Sequence, residues 1–226
     1  NGVILVSPAD YKLYSTNQPI YSAINLPYFT AAAWYHKVLP PALQKKDLLD
    51  ILPESENYAI NTLMPALAKG SNISDEERNS VAEQMSFYSG LSKKSILNHN
   101  LEVPTSFFWK ELMRDKTGYT IGRLDSRYLG IDRINAGTSP DYSPELTSWL
   151  HSFTPAINHY IKSELNFNTD IKYNMFGDVH PWDRRNNETR EGLRKAMATN
   201  PYLKVLNQSG YYDGATTYFA AKYTLS

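Results

Sequence analysis

The chain has 226 residues, 42% hydrophobic and 20% charged, with 23 lysines and arginines balancing 23 aspartates and glutamates. That is a globular balance, long enough for a real core, with no net field to draw it to nucleic acid or a lipid surface. Cysteine is absent, which excludes disulfides, cysteine-zinc sites and thiol nucleophiles. No apolar run approaches the roughly 18–20 residues that a membrane-spanning helix needs.

In chain order, Val3-Ile4-Leu5-Val6 is short, β-branched and continuously apolar, which predicts a strand buried on both faces, as in parallel sheets. Helical spacing then predicts helices from Pro41 to about Leu52 and from Asn57 to Lys69, the second stopping at Gly70. Ser74-Asp75-Glu76-Glu77 forms a capping box that opens a helix to about Tyr88, ended by Gly90. Ser92 caps a short turn through Leu97, and Pro104 to about Arg114 is a further helix closed by Gly118. Residues 119–134, punctuated by Gly122 and Gly130, predict a small hairpin. Ser143-Pro144-Glu145 sets a cap, a first-turn proline and a favourable carboxylate in order and starts the longest helix, to about Leu165. Glu188 to Ala198 is the last helix before a second short strand, Leu203-Lys204-Val205-Leu206, and a helical run through Tyr218, Phe219, Tyr223 and Leu225.

These elements predict an α/β chain: few parallel strands interrupted by one large, mainly helical insertion. Residues 1–8 form the core strand leading into the insertion and residues 9–184 the insertion itself. Residues 185–226 form the core helix, strand, turn and start of the next helix. Asn1-Gly2 has no initiator Met or leader before it, and Ser226 stops a helix in mid-pattern. On that pattern the chain reads as an internal piece of a longer protein.

The chemistry concentrates in Leu203 to Leu225, where a strand ends in Gln208-Ser209-Gly210 and Asp213 follows. Catalytic groups in α/β sheets sit beyond the carboxyl ends of parallel strands. A carboxylate placed there can hold a histidine in the right tautomer. The alternative local role for Asp213 is an N-cap for the helix after Gly214. Elsewhere, His151 and His159 lie eight apart on one helix and are poor joint metal ligands. Asp178, His180 and Asp183 fall in a loop that reads as structural. Alternation predicts that Arg123, Asp125 and Arg127 share one strand face as a solvated ion-pair cluster. Tyr28, Phe29, Trp34 and Tyr35 could wall a cleft or pack the core. Three glycosylation sequons, at Asn72, Asn187 and Asn207, carry little information.

The segment SGYYDGATTYFAAKYTL (residues 209–225) resembles the strand end, acid turn and helix that carry the triad aspartate of the serine carboxypeptidase family, in its bacterial carboxypeptidase-related branch. NGVILVSPAD resembles that family's strand after the nucleophile elbow. AAAWYHKVLP (31–40) resembles its first cap helix, GRLDSRYLG (122–130) the cap signature of that branch, and DVHPWD (178–183) the return to the core. These segments occur in the family's order across essentially the whole chain. The resemblance implies a serine-type peptidase that removes C-terminal residues through an acyl-enzyme, with Asp213 as catalytic acid and no cofactor. It also implies a peptide substrate, and partner segments of the same enzyme that bear the serine and the histidine, with a secreted or periplasmic location. The family's G-x-S-x-G elbow is missing, and no histidine follows His180, so the chain alone should be inactive. The alternatives are another capped α/β-hydrolase, an esterase or aminopeptidase, or a non-catalytic binding homologue.

Overall fold

The computed structural model describes residues 2–9, 19–171, 173–174, 176–178 and 189–226. Its two ends meet in one sheet. Strands β1 (Gly2–Val6) and β4 (Lys204–Gln208) pair in parallel, with Gly2 opposite Lys204 and Val6 opposite Gln208. A parallel pair needs a crossover connection, and here that connection is nearly the whole chain. The expectation of cover on both strand faces is not met among the described residues. Ile4 and Val6 are 66% and 69% exposed and Leu206 is 51% exposed, all on one face of the register. The cause is topological: among the described residues β1 and β4 have only each other as strand neighbours. A second sheet of two strands, β2 (Thr120–Ile121) and β3 (Leu129–Gly130), is antiparallel and forms the expected hairpin.

Everything else that is regular among the described residues is helical. Helix α1 (Pro19–Tyr35) lies at the centre, with every residue from Ser22 to Ala33 buried. A helix that is apolar on all sides belongs in the interior of a helical body. One side of α1 packs Ala23, Leu26 and Phe29 into the main core, while Ile24 and Ala31 face a second cluster with Tyr218, Phe219 and Ala220. Phe29 stacks on Phe108 at 4.0 Å between ring centres, and Tyr28 meets Phe108 edge-on.

The helix expected from Pro41 to Leu52 breaks after α2 (Pro41–Gln44). The next helix, α3 (Leu48–Tyr58), runs without a stop through a π-helical turn (Ala59–Leu63) into α4 (Met64–Ala68). The wider turn sits just ahead of Pro65, whose ring and missing N–H disturb the carbonyl four residues earlier. Helix α5 (Asp75–Ser89) is capped by Ser74 Oγ, which accepts the Glu77 N–H at 3.1 Å. The reciprocal half of the box is diverted, because both Glu77 oxygens accept from Lys69 Nζ. Ser92 caps α6 (Lys93–Asn98) in the same way. Helix α7 (Thr105–Glu111) and the short α8 (Arg114–Thr117) divide the helix expected after Pro104. Gly90 and Gly118 close α5 and α8 at φ of 72° and 74°, where a side chain would be strained.

Helix α9 (Pro144–His159) continues as a π-helical segment to Glu164. The last helices are α10 (Thr189–Thr199) and α11 (Tyr218–Leu225). Glu56 of α3 holds α11 in place, accepting from Tyr218 Oη at 3.1 Å and Lys222 Nζ at 2.5 Å.

Lys110 on α7 is only 2% exposed. Its ammonium pairs with the equally buried Asp132 and donates to Ile134 O at 2.6 Å. The other Asp132 oxygen accepts the Asp141 N–H at 2.9 Å, and Asp141 in turn accepts from Arg133 N. The loop after β3 is thus fastened to the helical core through one buried ion pair. Removing a single partner strands a charge away from water. Lys110→Met should cost about 3–5 kcal/mol in urea unfolding, and Lys110→Met with Asp132→Leu should regain most of it. A single-variant loss below about 1 kcal/mol would contradict the buried pairing.

Candidate active site

Beyond the carboxyl end of β4 the chain turns sharply, the Asp213 N–H reaching back to Gly210 O at 3.3 Å. The Asp213 carboxyl is half-buried and organises the residues that follow it. Its Oδ1 accepts the N–H groups of Ala215 and Thr216 at 2.8 and 3.0 Å, and its Oδ2 accepts the Thr216 hydroxyl at 2.6 Å. Asp213 therefore braces the turn ahead of α11 and does not occupy the N-cap position itself. Thr217 holds that position, with its hydroxyl donated to Asn25 Oδ1 on α1.

The acid turn is gripped by the hairpin loop. The Ser126 N–H donates to Tyr212 O at 2.9 Å and the Gly214 N–H donates to Arg123 O at 2.9 Å, so both neighbours of Asp213 are tied to residues 123–126. Two glycines allow this approach. A Cβ on Gly122 would strike Asp125 O and the Glu145 carboxyl, and one on Gly214 would strike the Tyr28 hydroxyl, with Trp109 Nε1 at 2.7 Å.

Arg123, Asp125 and Arg127 do not alternate along a strand, because these residues form the tight loop between β2 and β3. Asp125 accepts from Arg127 Nε and Nη2 at 2.9 and 2.7 Å. Burial raises the Asp125 pKa, but the hydrogen bonds and charge of Arg127 outweigh it and hold the carboxyl below its ordinary range. The Arg127 guanidinium also lies 5.2 Å from the centre of the Tyr212 ring. Tyr35 meets Tyr212 edge-on at 5.4 Å. The four aromatic candidates thus separate: Tyr28 and Phe29 are core, Trp34 is partly buried and donates to Lys46 O, and Tyr35 stands beside the acid turn.

Two further residues belong to this site. His36 Nε2 lies 2.6 Å from Ser126 O, which makes it the protonated nitrogen of the neutral ring. Glu145 on α9 is fully buried, and its Oε1 accepts the Leu124 N–H at 2.7 Å. Neither role has a sequence signal, since both partners are backbone groups distant in the chain.

The remaining candidates lie apart. His151 and His159 are on the exposed part of α9, bonded to Thr147 O and Ser163 Oγ. His180, Asp183 and Asn187 lie outside the described residues. Among the described residues, no group of three or more histidine, aspartate or glutamate side chains is gathered for a metal. No helix there is long and apolar enough to cross a membrane. A concavity of about 520 Å³ between α4, the start of α5 and the loop after α6 is lined by Ala66, Gly70, Asp75, Arg78 and Asn100 and shares no residue with the acid turn. Arg78 is already bonded there to Leu97 O and Asn100, so that hollow has less free chemistry than the rim at Asp213. No family model matches the chain, and no curated protein or solved structure resembles it significantly.

Two expectations follow from this geometry. Gly214→Ala should lose about 1–3 kcal/mol, because the added methyl overpacks the Tyr28–Trp109 pair; an unchanged thermal midpoint would count against the close approach. His36 is pushed below its ordinary pKa, first by burial, with the Ser126 carbonyl partly opposing. Its unfolded form takes up a proton near pH 6.5 while the folded form resists. The stability it contributes is therefore full above about pH 6.5 and is lost as pH falls toward the folded pKa. Unfolding midpoints at stepped pH should fall below about pH 6.5, and His36→Gln should flatten that part of the curve.

Proposed function

We propose that the chain is the cap-bearing middle of a serine carboxypeptidase-like α/β-hydrolase, with Asp213 as its triad acid. One observation carries the reading. The first and last strands run parallel as neighbours, a helical body fills the crossover between them, and Asp213 follows the carboxyl end of the second. That rim is where open α/β sheets place their reacting groups.

In this scheme a serine from a segment outside the chain attacks the substrate carbonyl. A histidine from another such segment takes the serine proton and returns it to the leaving amine. Asp213 keeps that histidine in the needed tautomer and stabilises it when charged. Its hydrogen bonds suit that role. Two backbone N–H groups fix Oδ1, while among the described residues Oδ2 has only the Thr216 hydroxyl and keeps capacity for an imidazole N–H. The uncovered side chains of Ile4, Val6 and Leu206 fit a sheet continued and covered by those other segments. The helical body would then act as the lid, excluding water and shaping the substrate pocket. Phe153 and Tyr160, both more than half exposed on the α9 helix and its π-helical extension, offer that lid apolar surface. No cofactor enters the scheme.

The whole protein should react with a fluorophosphonate probe, while the 226-residue chain alone should not. Asp213→Asn should lower kcat by roughly 10⁴-fold, the size expected when a triad acid loses its charge. A peptide with a free C-terminus should turn over faster than its amidated twin; equal rates would point to another capped hydrolase. A whole protein that the probe never labels would be a binding homologue, and the proposal would be wrong.

A further inference from the structure

We propose that Glu145 is the positioning residue for Asp213, coupling the lid helix α9 to the catalytic acid through the 122–126 loop. This rests on the reading of Asp213 as the triad acid.

Glutamate in the first turn of a helix is ordinarily solvated and favours the exposed end of the helix dipole. Glu145 does something else. It has no exposed surface, although every residue after Leu146 on α9 is at least partly exposed. Its Oε1 is committed to the Leu124 N–H at 2.7 Å, and its Oε2 is buried, packed against Gly122, with no hydrogen-bond partner among the described residues. A buried carboxyl with one oxygen unsatisfied is costly, and what it secures is the middle of the loop. On either side of Leu124, Arg123 O accepts from Gly214 and the Ser126 N–H donates to Tyr212. The grip on Asp213 is therefore fixed at its centre by Glu145 alone among the described side chains of α9. His36 holds the same loop from just beyond α1 through Ser126 O.

Moving α9 must then move the loop, and with it the two residues that flank the acid. A shift of that kind would misalign Asp213 with its histidine and slow the reaction without weakening substrate binding.

The test uses Glu145→Asp, which withdraws the carboxyl by one methylene, and Glu145→Gln, which keeps an oxygen acceptor for Leu124. In the isotope-labelled 226-residue chain, amide exchange at Gly214 and Ser126 should quicken about ten- to hundredfold in Glu145→Asp. In Glu145→Gln it should change by no more than about twofold. Ser92→Ala, which removes a remote cap, controls for general loosening and should leave those two amides as they were. In the whole enzyme, Glu145→Asp should lower kcat about tenfold with KM within about twofold, and Glu145→Gln should restore kcat. Unchanged Gly214 exchange in a folded Glu145→Asp chain would overturn the proposal, as would an equal effect from Ser92→Ala. If Asp213→Asn leaves the whole enzyme active, the triad reading fails and the kinetic half of the inference fails with it. The exchange result would still report separately on the linkage itself.

Discussion

The arrangement depends on backbone hydrogen bonds between two short strands that are almost a chain length apart. Parallel strands cannot be joined by a tight turn. Pairing β1 with β4 therefore obliges everything between them to fold as a closed excursion that returns to where it left. That return is secured by packing as well as by the strands. Helix α11, which follows the acid turn, lies against α1 and α3 near the start of the excursion through Tyr218, Phe219 and Ala220. The hydrogen bonds from Thr217 to Asn25 and from Tyr218 to Glu56 add direction to that apolar contact. The acid turn is thus built on the helical body, and its position relative to α1 and α3 is a packing property of the fold.

Buried polar groups do the specifying within this body. The Lys110–Asp132 pair, the Thr30–Ser55 hydroxyl contact and the Glu145–Leu124 bond each join segments that apolar packing alone would leave free to slide. Such groups are costly unless partnered, so each admits one local arrangement where leucines would accept several. The two that involve loops, at Asp132 and at Leu124, both bear on residues 120–141. That stretch has little secondary structure of its own and is fixed largely from outside.

The sequence is most readable where the deciding forces are local. Ser74, Ser92, Gly90 and Gly118 act within a turn of their own positions, and each ends or begins a helix as its chemistry dictates. It is least readable where the partner is distant. Helix α1 holds Pro27 and is apolar all round, so it gives neither a periodic stripe nor clean ends, and only its last turn falls within a segment that reads as helix. Lys110 stands in an aromatic stretch as though snorkelling to solvent, and nothing nearby announces Asp132. The alternation of Arg123, Asp125 and Arg127 suggests a strand face, but the loop's backbone is committed to the acid turn and bends accordingly. Glu145 looks like a helix-dipole residue for the same reason: its partner is a backbone N–H that only the tertiary fold delivers.

The bracing that Asp213 gives the chain, in place of the N-cap read from the sequence, and the catalytic role proposed for it are not in competition once its oxygens are treated separately. A carboxylate has about four acceptor positions. Two backbone donors on Oδ1 set the plane and direction of the group, and the Thr216 hydroxyl occupies one position on Oδ2. A triad acid has the same needs: an orientation fixed before substrate arrives, donors that favour the charged form, and one free acceptor for an imidazole. A carboxyl that only capped a helix would be served equally well by asparagine or serine. Asparagine and serine would both keep much of the brace, and neither would supply the charge. The bracing bonds at Asp213 are the means by which a carboxylate at a strand end would be held still enough to orient another residue.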